Sequence, residues 1–117
     1  MSNRPLAPTH FVELLDEIQI LVAQKNAAYS DGLQGNVPDP WANLRSMEPW
    51  GVTAEQYVLL RLQEKMNRVR TLRKNPKLQA NDESLRDSAI DSAVYWLIYV
   101  CLLDENDSAP DVGSGIV

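Results

Sequence analysis

Three acids dominate any chemical reading of this chain. Glu83, Asp87 and Asp91 stand four residues apart. On a helix that spacing stacks them on one face at about 6 Å per step. The same face carries Ile90, Val94, Ile98 and Cys101, so the acids extend an apolar stripe and do not simply point at water. Adjacent carboxylates in such a place repel by roughly 1–3 kcal/mol at an effective dielectric near 20. A cation must compensate them, either a divalent metal or basic side chains. The basic candidates are Arg61, Lys65 and Arg68, at i, i+4 and i+7 along one edge of the preceding helix. Lys25 joins them from the end of the first helix, with Tyr29 one turn on. Two readings follow. In one, Mg2+ is held by the acids and the basic residues hold substrate phosphates. In the other, the charges form a structural ion-pair layer between two helices and Lys25 snorkels to solvent. Glu64 lies away from the apolar stripe of its helix, either as a solvated or interface charge or as a further metal ligand.

Other chemistries lack their residues. One Cys and one His give no zinc spacing, and no Gly-rich phosphate loop or nucleophile elbow is present. His10 reads as a surface residue and Cys101 as a small buried hydrophobe. A lone cysteine makes no internal disulfide and points to a reducing, cytoplasmic compartment. Residues 1–8 are polar and proline-broken, unlike a signal peptide. The net charge of −5 argues against duplex nucleic acid and anionic membranes, which need a dense basic surface. The longest apolar run, 93–103, is too short to span a bilayer.

Three helices must position these residues, which makes the expected fold all-α. With 117 residues the chain fits one domain, here 9–103 between a loose arm at 1–8 and a polar, disordered tail at 104–117. Thr9 caps a first helix running to about Ala27, with Phe11, Leu14, Leu15, Ile18, Leu21 and Val22 on one face. From 28 to 51 the periodicity fails among prolines, glycines, Trp41 and Trp50; a loop this long suggests function, and both indoles are expected to pack down. Thr53 to Gln56 matches a capping box opening a second helix, which Asn75-Pro76 stops after Lys74. Its expected core stripe is Val58, Leu59, Leu62, Met66 and Val69. A third helix, capped by Asn81 or Asp82, continues to about Leu103 and is apolar nearly all round in its second half. Such a helix must be covered on all sides, so a homo-oligomer completing a four-helix core is expected.

These residues also occur in a recognisable order. Lys25-x3-Tyr29 is followed by Trp41-Ala42-Asn43-Leu44, then Glu64-Lys65-x2-Arg68, then Glu83-Ser84-x2-Asp87-x3-Asp91-x3-Tyr95. The pattern, over about residues 10–103, resembles the nucleotide-modification-associated proteins common in phage genomes. Those are similar to the all-α nucleoside-triphosphate pyrophosphohydrolases, the MazG-like and dimeric dUTPase-like group. The resemblance implies an oligomeric helical bundle in the cytoplasm of a bacterial host. It implies Mg2+ bound by Glu64, Glu83, Asp87 and Asp91, and nucleotide contacts from Lys25, Tyr29, Trp41, Lys65 and Arg68. The implied reaction cleaves a (deoxy)nucleoside triphosphate to monophosphate and pyrophosphate, with Glu83, Asp87 and Asp91 catalytic. Two departures stand out. The MazG-like pattern puts two adjacent acids and a third one turn later on the second helix; here the positions are Glu64, Lys65 and Arg68, so two are basic. The acid-x2-Asp pair of the third helix is replaced by Asp87-x3-Asp91. These leave three alternatives open: a Mg2+-dependent hydrolase, a nucleotide binder that does not cleave, and a purely structural helical oligomer.

Overall fold

The computed structural model describes residues 6–29, 33–34, 37–81 and 84–108. The fold is all-α, built on three long helices: α1 (Thr9–Tyr29), α2 (Ala54–Lys74) and α3 (Leu85–Ser108). A two-residue antiparallel pairing, Leu33–Gln34 with Val37–Pro38, is the one departure among the described residues. No described helix is long and apolar enough to cross a membrane. The chain divides into two units, Met1–Asn43 and Leu44–Val117.

In the first unit, α1 begins at Thr9 itself, with the Val12 amide donating to the Pro8 carbonyl. Thr9 is thus the first helical residue and not the cap. Of the expected apolar face, Leu14, Ile18, Leu21 and Val22 are half-buried, whereas Phe11 and Leu15 are exposed. Past the short pairing, Asp39 is buried, and its carboxylate accepts the Trp41 amide at 3.0 Å. Its carbonyl accepts the Ala42 amide, so Asp39 initiates the 3-10 turn Ala42–Arg45. Asx turns of this kind offer the chain a local alternative to a helix or ladder.

The second unit is a helical hairpin. A second 3-10 turn, Glu48–Trp50, holds Pro49 in its first turn and ends at Gly51, whose φ of 86° is a left-handed conformation that favours glycine. Trp50 within it is 77% exposed, contrary to the expectation that it packs down. The α2 cap is the one the sequence implies. The Thr53 hydroxyl accepts from the Gln56 amide, and the Gln56 side chain accepts the Thr53 amide. Thr53→Ala is expected to lower stability by about 1 kcal/mol, read as a fall in the urea midpoint with the slope unchanged. At the other end, Asn75 leaves the helical region before Pro76, with φ −135° and ψ 78°, and its amide donates to the Thr71 carbonyl. The segment between the helices is itself a 3-10 helix, Pro76–Asn81.

The start of α3 differs from expectation. Ser84 is its cap: the Asp87 amide donates to the Ser84 hydroxyl at 3.0 Å, and the Asp87 carboxylate accepts the Ser84 amide at 3.3 Å. Ser84-x-x-Asp87 outcompetes Asn81 and Asp82 because it satisfies two end amides reciprocally. The helix runs on to Ser108, past the expected end at Leu103. The remainder of the expected tail, 109–117, and residues 1–5 of the arm lie outside the described residues.

The hairpin core is small. Val58, Leu62 and Leu72 of α2 and Val94 and Leu102 of α3 are buried, with Ala54 beneath the α2 cap. Two residues of the expected α2 stripe, Leu59 and Met66, are exposed, and Leu72 supplies what they do not. Ser88 of α3 is fully buried, and its carbonyl accepts the Ser92 hydroxyl as well. Arg45 is tied to the far end of α3, its Nη2 donating to both carboxylate oxygens of Glu105 at 3.0 and 3.2 Å.

Candidate functional site

The side chains singled out by chemistry fall in both units. Lys25, Tyr29 and Trp41 belong to the first; Glu64, Lys65, Arg68, Glu83, Asp87 and Asp91 belong to the second. Lys25 is exposed near the end of α1, and Trp41 is half-buried at its turn. The side chain of Tyr29 and the whole of Glu83 lie outside the described residues.

Within the hairpin a polar layer joins α2 to α3. The Lys65 ammonium lies 2.9 Å from the Asp91 carboxylate, with side-chain exposures of 23% and 16%. One turn back along α2, the Arg61 guanidinium interacts with the side chain of Tyr95, one turn onward along α3. Pairs that advance on one helix and retreat on the other require antiparallel helices, and they set the register. Lys65 and Arg61 are four apart on α2, as Asp91 and Tyr95 are on α3, so each pair occupies one turn of both helices.

Charge in the layer is balanced locally. The Tyr95 side chain raises the Arg61 pKa above its ordinary value, against the lowering effect of burial, and Glu64 adds in the same direction. Arg61 therefore stays cationic throughout the working pH range. Glu64 accepts from Arg61 at 2.9 Å on an exposed stretch of α2. Asp87 is exposed and its carboxylate closes the α3 cap, where the helix dipole also favours an anion. Arg68 is half-buried one turn beyond Lys65.

The structure thus brings Lys65, Asp91, Arg61 and Tyr95 together. Of the four acids put forward as metal ligands, the three described ones are each engaged by a side chain or amide of their own unit. Among the described residues no group of three or more His, Cys, Asp or Glu draws together as a metal would need. As they stand, Asp91 and Glu64 offer carboxylates already matched to cations, so the described donor set does not fit a preformed divalent site. Tyr95 is the partner that spacing arguments did not single out as a site residue, although it stands one turn from Asp91 just as Arg61 stands one turn from Lys65. Cys101, expected to be buried, is exposed.

Comparison with protein families, curated proteins and solved structures finds no match. The reading of this site therefore rests on its own geometry.

Proposed function

We propose that this chain binds the phosphates of a (deoxy)nucleotide along the basic edge of α2, formed by Arg61, Lys65 and Arg68, without cleaving them. The observation that carries the reading is the 2.9 Å Lys65–Asp91 pair, with Arg61 one turn away interacting with Tyr95. Both cations are held in place by α3 while keeping part of their surface open to solvent. A pre-positioned guanidinium and ammonium lose less freedom on meeting a phosphate than free side chains would. A cytoplasmic setting, and a phage origin, accord with the motif order Glu64-Lys65-x2-Arg68 and Asp87-x3-Asp91-x3-Tyr95.

A second reading, Mg2+-dependent pyrophosphohydrolysis, is favoured by one observation. Asp87 and Asp91 are one turn apart on α3, with Glu83 directly before its cap in the chain. The two are separated by a screen of nucleoside mono-, di- and triphosphates with and without Mg2+, following melting temperature and product together. A rise in melting temperature by several degrees without product is the expected result, since a ligand that binds only the folded state stabilises it by mass action. Monophosphate and pyrophosphate formed only with Mg2+ would establish the hydrolase instead. No shift with any nucleotide would remove both readings and leave the layer as an ion-pair scaffold.

A further inference from the structure

The face of α3 turned away from α2 carries a second pattern. Positions 86, 89, 93, 96, 100, 103 and 107 are spaced alternately three and four residues apart, the repeat of a coiled-coil seam. Every one of them is exposed. Between Arg86 and Asp107 at its ends, the seam holds Ala89, Ala93, Trp96, Val100 and Leu103. Trp96, Val100 and Leu103 alone leave 48%, 50% and 40% of their surfaces uncovered. At 100° per residue the seam lies opposite the side bearing Ser88, Asp91, Val94 and Leu102, which is spent on α2. An apolar stripe of this length on a helix already packed on its other side marks a contact surface.

We infer that the seam binds a second copy of the chain, with the two α3 helices antiparallel. Two features of the seam favour that occupant. The first is volume. Its N-terminal half holds two alanines and its C-terminal half holds Val100 and Leu103. Antiparallel pairing sets Ala93 against the partner's Val100 and Ala89 against the partner's Leu103, with Trp96 at the two-fold axis. Large residues then meet small ones in the layers on either side of the Trp96 pair, as close packing requires. Parallel pairing would set alanine on alanine and leave voids. The second is charge. α3 ends in Asp104 and Asp107 beside the Arg45-bound Glu105, with no basic residue in its last turn, a poor match to its own dipole. Antiparallel pairing places that acidic end beside the partner's Arg86 and the positive end of the partner's α3, at both ends of the interface. Parallel pairing would place like charges together. The surface is therefore complementary to itself under a two-fold rotation, which is the requirement for a closed dimer.

The test uses the full chain. Sedimentation or light scattering at micromolar concentration should give about twice the chain mass of 13.2 kDa. Leu103→Glu should return the mass of one chain with helical circular dichroism unchanged, because position 103 is exposed within the hairpin itself. Orientation is read by oxidative cross-linking in a Cys101→Ser background. Ala93→Cys together with Val100→Cys should give a covalent dimer, and Ala93→Cys alone should not. Within one helix these two positions are about 10 Å apart, too far to bridge. A single-chain mass for the unaltered protein, including one in which its own α1 covers the seam, overturns the inference. So does an unchanged mass for Leu103→Glu, or efficient cross-linking through position 93 alone.

Discussion

Asp91→Asn is expected to lower the free energy of unfolding by about 1–3 kcal/mol. Breaking a fully buried pair costs roughly 3–5 kcal/mol, because the remaining charge loses its partner away from water. Lys65 and Asp91 retain some exposure, so the penalty is smaller but exceeds that of a surface pair. The combined change Lys65→Met with Asp91→Leu should recover most of the loss, since two apolar side chains replace two charges that needed one another. Urea unfolding of the parent, Lys65→Met, Asp91→Leu and the combined variant forms a double-mutant cycle, and a coupling near zero would mean that the pair holds nothing. The same variant bears on function. If Lys65 serves a phosphate, Asp91→Asn frees it from its competitor, and nucleotide binding persists or tightens without Mg2+. If Asp91 serves a metal, the variant instead loses any response to Mg2+. Asp87→Asn gives a companion measurement. A carboxamide oxygen can still accept the Ser84 amide, so the cap largely survives, and a lost Mg2+ response there would speak for ligation.

Leu102→Ala should be more damaging to the fold, by about 2–5 kcal/mol. Leu102 is 1% exposed on a helix whose neighbouring apolar residues are mostly open, and with Leu72 it is among the largest fully buried side chains. Among the described residues, the hairpin has few other buried groups to share the loss. Since whole domains are stable by only about 5–15 kcal/mol, one such cavity should bring the melting transition close to the working temperature. Leu60→Ala, on an exposed position of α2, is the control and should fall within about 0.5 kcal/mol of the parent. Equal effects at the two positions, compared by urea midpoint, would mean that α2 and α3 do not pack as described.

Sequence alone determined what depends on near neighbours in the chain. The three helices are legible because each is a long run of helical spacing. Both ends of α2 are legible because Thr53, Gln56, Asn75 and Pro76 act on backbone groups within one turn of themselves. The start of α3 was less so: Asn81, Asp82 and Ser84 all make caps, and only the reciprocal bonds between Ser84 and Asp87 distinguish them. An α2–α3 ion-pair layer was also legible as one of two readings, in four-residue spacings of opposite charge. Which charges meet was not. Lys65 could have faced Asp87 or Asp91, and the choice follows from the hairpin register, whose cost or gain is spread over Val58, Leu62, Leu72, Val94 and Leu102 at once. Tertiary structure likewise decided the fate of the apolar residues. Helix α3 is hydrophobic on nearly every side, so periodicity cannot say which side turns to α2. Packing against α2 buried Ser88, Val94 and Leu102 and left Trp96, Val100, Cys101 and Leu103 exposed, because a helix can give only one face to a single neighbour.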